Sequence, residues 1–317
     1  MNGASRRPNG LRIAPRPRIP SGLLYAATCT PIYVEMAFLS ADSFRQRYPH
    51  APILLFTDQP DHPLTRFGVF SAVTMIATDS AVKAPWSRGQ LARIQALLLS
   101  PFERTLHVDC DTRFVGDITP ALTVLDRADI AMVECVPDRS VSRRLYGKRM
   151  FNAGFCSYRL TPAVRKLFSE WAISTRKNFL AMGTSEAKDL LSYQKLLHLP
   201  EPERDRLLGF DQTTLVELWS PENNACGVRG TILPYAYNCT FSAEPMNRLE
   251  APRIVSHPSF KETTLSDLLL LAQRWRSAGR GAEARQIADY VTSQWVSPPP
   301  PRPSQPLLLN PKSERTP

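Results

Sequence analysis

The apolar and polar positions resolve into alternating elements from Gly22 onward. "GLLYAATC", Gly22 to Cys29, is a short apolar run of the kind a buried strand needs. "YVEMAFLSADSFRQRY" follows with Met36, Phe38, Leu39 and Phe44 on the apolar side of a predicted helix. "PILLFTD", Pro52 to Asp58, and "FSAVTMIA", Phe70 to Ala77, predict a second and a third strand. "RGQLARIQALLLS" places Leu91, Ile94, Leu97 and Leu98 at helical spacing, and "TLHVD" predicts a fourth strand. "TPAL" at Thr119 and "TPAV" at Thr161 predict two helix starts, each with threonine as N-cap and proline at the first helical position.

This alternation predicts an α/β fold: a single Rossmann-like domain over residues 21–262, with a mostly parallel mixed sheet flanked by helices. The pattern changes at its end. "LSDLLLLAQRWRSAGRGAEARQIADYVTSQW" reads as two helices joined by "AGRG", a C-terminal helical hairpin over residues 263–296. Residues 1–20 are rich in proline, glycine and arginine and lack periodicity, which predicts a disordered basic arm. Residues 297–317, with "SPPPPRPSQP", predict a disordered Pro-rich tail.

Composition changes this picture little. At 317 residues, 43% hydrophobic and 21% charged, the chain is of ordinary globular type. The formal charge is +10, but residues 1–20 hold five arginines without an acid, and residues 297–317 add a net two. No aromatic residue is interleaved with those arginines to stack on bases, so no nucleic-acid partner is expected. No apolar run is long enough to span a bilayer; the longest, Leu268 to Ala272, falls in a helical stretch. No secretion signal is visible, and the six cysteines form no C-x-x-C pair. They resemble buried free thiols of a reducing compartment, so a cytoplasmic location is expected. The "NCT" sequon at Asn238 carries no weight without a secretion signal.

The candidate chemistry lies in "RTLHVDCDTRF", residues 104 to 114. Two aspartates end an apolar run. In a continued strand, Asp109 and Asp111 share one face, with Cα atoms about 6.6 Å apart, and Cys110 points to the other. The carboxyl end of a parallel strand faces the crevice where open α/β sheets bind ligands. Two readings are open there. The pair holds a divalent cation through oxygen ligands, or the aspartates form a turn by bonding nearby backbone N–H groups.

The surrounding segments add a resemblance. "ALLLSPFERTLHVDCDTRFVGDIT", Ala96 to Thr119, resembles the D-x-D segment of metal-dependent nucleotide-sugar glycosyltransferases of the glycosyltransferase A fold. "FNAGFCSYR" at Phe151, "GFDQTTL" at Gly209, "LPYAYN" at Leu233 and "IVSHPSFK" at Ile254 resemble further elements of that family, in the same order. The pattern is most similar to the glycogenin and lipopolysaccharide galactosyltransferase-like group. The resemblance implies transfer of a sugar from a nucleotide-diphosphate sugar, a UDP-sugar in the nearest pattern, to a glycan, protein or lipid acceptor with retention. It implies Asp109, Asp111 and His257 as ligands of Mn2+, or of Mg2+, with Asp109 also touching the ribose. A histidine beside two carboxylates suits Mn2+ better. It places Asp211 and Gln212 near the anomeric carbon, Arg93 or Arg88 at a phosphate, and Thr28 near the base or ribose. Asn152 and Gly154 match the acceptor-side strand, and Lys261 lies near the expected phosphate-closing position. The chain departs from the family after His257, where "PSFKETT" lacks the glycine and tryptophan expected. "VPDRSVSRRLYGKRM", residues 136–150, holds five basic residues and predicts a loop over the site that orders on donor binding.

Other functions stay in view. A degenerate transferase keeps the fold and binds a sugar nucleotide without turnover. A D-x-D phosphohydrolase requires threonine or valine at the fifth position, where this chain has Arg113. A nucleic-acid-binding protein using the basic arm requires steeply salt-dependent binding.

Overall fold

The computed structural model describes residues 19–135, 150–182, 211–220, 224–240, 251–256 and 260–295. Residues 1–18 of the basic arm, the Pro-rich tail, His257 and all but Met150 of the basic segment lie outside the described residues; Ile19 and Pro20, expected in the arm, instead begin the first strand, where Ile19 pairs with Phe102. The chain divides into two compact units, Met1–Thr264 and Leu265–Pro317.

In the first unit the predicted apolar runs become strands: β1 (Ile19–Ala27), β2 (Ile53–Thr57), β3 (Ala72–Met75) and β4 (Phe102–Val108). Three more, β6 (Ile130–Glu134), β7 (Phe151–Tyr158) and β8 (Gly230–Leu233), complete a seven-stranded sheet ordered β3-β2-β1-β4-β7-β6-β8. β7 alone runs against its neighbours, pairing antiparallel with β4 and with β6; the remaining pairings are parallel. The sheet is therefore mixed and mostly parallel, flanked by helices in the Rossmann manner. The chain goes from β1 outward to β2 and β3, then returns to lay β4 on β1's other side. The point of reversal thus falls between β1 and β4, where their carboxyl ends leave a crevice.

Helix α1 (Pro31–Arg45) is buried on more than the single side that its apolar spacing predicts; Glu35, Ser40 and Asp42 are also buried. The reason is a second, three-stranded sheet. β5 (Thr112–Phe114) leaves the line of β4 to pair antiparallel with β10 (Ile254–Ser256), which pairs parallel with β9 (Cys239–Thr240). β5 packs on α1: the Phe44 and Phe114 rings meet at 5.0 Å, and the Phe114 N–H donates to Ser43 Oγ at 2.9 Å.

Helix α2 (Pro85–Leu98) buries Leu91, Ile94 and Leu97 as its spacing predicts. Helix α3 (Thr119–Thr123) differs from the expected start. Thr119 is its first helical residue, and Asp117 Oδ1 accepts from the Thr119 N–H at 2.9 Å, because aspartate is the stronger local acceptor. Helix α4 (Pro162–Met182) starts as expected, with Thr161 Oγ1 accepting from the Val164 N–H at 3.3 Å. Helix α5 spans Asp211–Leu218. Trp171, Trp219, Tyr158, Phe168 and Phe151 are fully buried around α4, α5 and the sheet.

Helix α6 (Phe260–Ser277) runs from the end of the first unit into the second, and α7 (Gly281–Trp295) follows. Gly279 makes the turn between them at φ +81, in the left-handed region that a C-terminal cap needs. The Arg280 N–H donates back to the Trp275 carbonyl at 2.8 Å, and the Arg280 guanidinium stacks on the Trp275 ring at 3.5 Å. Ile287 and Val291 of α7 and Leu268 and Leu271 of α6 are buried. No helix among the described residues is long and apolar enough to cross a membrane.

Candidate functional site

An open cleft of about 140 Å3 lies at the reversal point of the sheet. Ala26 and Thr28 at the end of β1 form one side, and Asp109, Cys110 and Asp111 after β4 form the other. Tyr33 of α1 and Trp86, Gly89, Gln90 and Arg93 of α2 complete it. The chain bends sharply after β1. Cys29 holds φ +72, a strained value for a residue with a side chain, and its N–H donates to both Asp58 carboxylate oxygens, at 3.1 and 3.0 Å.

The D-x-D residues stand in a turn between β4 and β5, which corrects the expectation of a continued strand. β5 swings away to join β10, so simple alternation does not set the two side chains. Thr112 Oγ1 donates to the Asp109 carbonyl at 2.8 Å and closes the turn. Cys110 is buried between the two aspartates, and its Sγ donates to the Ala26 carbonyl at 3.4 Å.

Arg93 organises the carboxylates. Its side chain is 7% exposed; Nη1 donates to Asp109 Oδ1 at 2.9 Å, and Nη2 donates to Asp211 Oδ2. A guanidinium fork is built for such two-sided pairing. Burial pulls the Arg93 pKa down, but Asp211 and Asp109 more than offset it and hold it above its ordinary value. Burial raises the Asp211 pKa, with Arg93 opposing. His107 sits below, pushed down to about 4 by burial and then by Arg93, so it is neutral at pH 7. The expectation of a phosphate contact for Arg93 thus meets a guanidinium already engaged by two carboxylates.

Gly154 admits this arrangement. A Cβ there would lie 2.7 Å from the Asp109 carboxyl carbon and 2.9 Å from Asn152 Oδ1. The Gly154 carbonyl accepts from the Asp109 N–H at 2.8 Å, and the Gly154 N–H donates to Asn152 Oδ1 at 2.8 Å. Trp171 Nε1 donates to the Asp211 carbonyl at 2.7 Å, which anchors the start of α5 beneath the site. Gln212 follows, its Oε1 lying 3.6 Å from Cys135 Sγ.

Asp111 is the least comfortable carboxyl. Burial, then the Asp109 charge, pushes its pKa from 3.8 up to about 7, and its contact with Ser256 Oγ is long at 3.5 Å. Ser256 is the last residue of β10, so that strand brings a hydroxyl to Asp111. Among the described residues no three His, Cys, Asp or Glu side chains converge to hold a metal. Two acidic oxygen donors with one raised toward neutrality still form a donor set that fits a hard divalent cation.

The structure therefore brings Thr28, Arg93, Asp109, Asp111, Gly154 and Asp211 together, with Asn152 bonded to Gly154 and Gln212 next in the chain after Asp211, against Cys135. Lys261 lies near the same wall, its Nζ 5.7 Å from the centroid of the Tyr33 ring. Arg88 is not among the side chains lining the cleft. Tyr33, Trp86 and Gln90 were not anticipated. The turn signal "TCTP" before Tyr33 and the helix-starting proline before Trp86 mark where β1 and α2 open toward the cleft.

No family model and no curated protein matches the chain. Among solved structures it is similar to the galactosyltransferase LgtC in complex with donor and acceptor sugar analogs, at 13% identity and TM-score 0.47, covering 75% of this chain and 87% of that one. It is also similar to the WbbM bifunctional glycosyltransferase, at 12% identity and TM-score 0.44, covering 80% of this chain and 50% of that one. A third is the glycosyltransferase GlyE of Streptococcus pneumoniae, at 16% identity and TM-score 0.42, covering 82% and 64%.

Proposed function

We propose that the chain is a metal-dependent glycosyltransferase that moves a sugar from a UDP-sugar to a glycan, protein or lipid acceptor with retention of configuration. The observation that carries this reading is the placement of Asp109 and Asp111 at the carboxyl end of β4, at the reversal point of the sheet, with Arg93 tying Asp109 to Asp211. The ordered motifs around them support the same reading.

Asp109, Asp111 and His257 would hold Mn2+, or Mg2+ in its place. Bound there, the cation supplies charge to balance a departing diphosphate. The chain's own residues do the rest. Arg93 locks one Asp109 oxygen, so the carboxylate presents a fixed edge to the cleft. Tyr33 and Trp86 give it aromatic surface, and Thr28 gives a buried hydroxyl at the end of β1. Lys261 stands beside the Tyr33 wall, where an ammonium suits a phosphate. Asp211 and Gln212, at the first turn of α5, take the place beside the sugar. The free cysteines, buried or half-buried, support a cytoplasmic location.

The test is a panel of nucleotide-sugars with Mn2+, following nucleotide release and thermal shift together. Release from one donor, with a matching shift, is expected. A thermal shift without release favours a non-catalytic sugar-nucleotide binder. Neither effect with any donor refutes the reading.

A further inference from the structure

Beneath the D-x-D turn three buried hydroxyls stand in line. Tyr25 OH donates to Ser40 Oγ at 2.8 Å, Ser40 Oγ lies 2.7 Å from Thr112 Oγ1, and Thr112 Oγ1 donates to the Asp109 carbonyl at 2.8 Å. They come from β1, α1 and β5, and Tyr25, Ser40 and Thr112 are 0%, 0% and 1% exposed. We propose that Tyr25, Ser40 and Thr112 form a one-way hydroxyl relay that positions the D-x-D turn for a cation and nucleotide diphosphate, acting through the Asp109 carbonyl. The proposal rests on the reading of this turn as the donor site.

Proton counting fixes the direction. A carbonyl only accepts, so the Thr112 proton is committed to Asp109. Thr112 therefore accepts from Ser40, and the Ser40 proton is committed in turn. Ser40 can then only accept from Tyr25. Burial pushes the Tyr25 hydroxyl well above its ordinary pKa and keeps that donor protonated. Every proton has one place to go, and a chain of bonds in a dry interior strengthens along its length.

The relay completes a three-point hold on Asp109. Its N–H is fixed by Gly154 of β7, its carboxylate by Arg93 of α2, and its carbonyl by this path from α1. Asp111 lies inside the loop that the Thr112 bond closes, so its direction is set by the same peg. Packing alone does not call for these residue types. Phenylalanine, alanine and valine fill nearly the same volumes without a buried hydroxyl to satisfy.

The experiment compares Tyr25→Phe, Ser40→Ala, Thr112→Val and Thr112→Ser in the full chain. Hydrogen exchange over residues 109–113 is measured in EDTA without ligand, melting temperature is measured alongside, and binding of UDP with Mn2+ is titrated. The turn amides in Thr112→Val should exchange about tenfold faster than wild type, those in Ser40→Ala about threefold faster and those in Tyr25→Phe least, with Thr112→Ser matching wild type. Affinity for UDP with Mn2+ should fall in the same order, which follows distance from Asp109 and not loss of melting temperature. Unchanged exchange in both Thr112→Val and Ser40→Ala, no rescue by Thr112→Ser, or affinity that tracks melting temperature alone each overturns the relay. Wild type that binds no UDP with Mn2+ overturns the donor-site reading instead, and the exchange result on the ligand-free protein still decides the relay.

Discussion

Replacing Asp111 with asparagine separates a ligand-binding carboxylate from one that only shapes a turn. In the fold the Asp111 pKa stands at about 7 against 3.8, raised by burial first and by Asp109 second. An acid whose folded pKa is raised binds its proton more tightly in the native state. Its contribution to stability is full below about pH 4 and is lost as pH rises through 7. At 1.36 kcal/mol per pKa unit, the ionised carboxylate costs the ligand-free fold at most about 4 kcal/mol at pH 8. Asp111 keeps some access to solvent through the open cleft, and screening there reduces the cost to about 2–3 kcal/mol. Asparagine keeps the shape and an oxygen for Ser256, and it carries no charge at any pH. In EDTA at pH 8, Asp111→Asn should melt about 5 °C above wild type, and the gap should close near pH 4. Turnover of nucleotide-sugar with Mn2+ should fall at least a hundredfold, since one lost electrostatic contact to a transition state costs about 2.7–4 kcal/mol. Mn2+ with nucleotide should raise the melting temperature of wild type and leave the mutant unmoved. Differential scanning fluorimetry at pH 4, 6 and 8 and a coupled nucleotide-release assay read all of this. A mutant no more stable than wild type at pH 8, or one within threefold of its turnover, refutes the reasoning.

Arg93→Met should destabilise the protein by about 3–5 kcal/mol in urea melts, because it leaves Asp211 buried without its partner. Arg93→Lys should stay folded yet lose most turnover, since one ammonium cannot reproduce a fork spanning two carboxylates. Gly154→Ala should cost about 1–3 kcal/mol and abolish nucleotide binding, as its methyl would occupy the space of the Asp109 carboxylate; calorimetry with UDP and Mn2+ checks it. EDTA in excess should stop turnover and added Mn2+ restore it, and full activity in EDTA would count against a metal. Removing residues 1–18, which stop short of β1, and 298–317 should leave melting temperature and donor binding intact, since both segments are dominated by proline and polar residues.

The strands were legible wherever burial on both faces demands an uninterrupted apolar run, as at β1, β2 and β4. Their order was not, because a strand does not record its neighbours. The reversal of β7 between β4 and β6 depends on pairings such as His107 with Cys156, which are set only when the whole sheet assembles. The D-x-D residues were legible as carboxylates that line a cleft and misread as geometry. Apolar periodicity carries no sign that Thr112 leaves the strand, since the cause is a pairing between Phe114 and Ile254, 140 residues further on.

Arg93 shows why such a site resists reading along the chain. On α2 it stands among Leu91, Ile94 and Leu97, and by spacing alone it is a cation near a ligand. Asp211 is 118 residues away, and no periodicity links the two. Once the fold brings them together, the charges can be followed. Arg93 is shared between Asp109 and Asp211, so it neutralises one of the two. Asp111 draws only a minor lowering from Arg113, last among the influences upon it, and stands near neutrality when ligand-free. A dication entering beside Asp109 would reverse that balance. It would replace a costly repulsion with attraction and hold Asp111 ionised at neutral pH. The proton shed on binding is then a measure of the site: Asp111 should give up about one proton per Mn2+ taken up near pH 6, with any shed by His257 added to it, and the count should fall toward zero at pH 9. Calorimetry in two buffers of different ionisation enthalpy reads that number, and binding without proton release at pH 6 would place the cation away from Asp111.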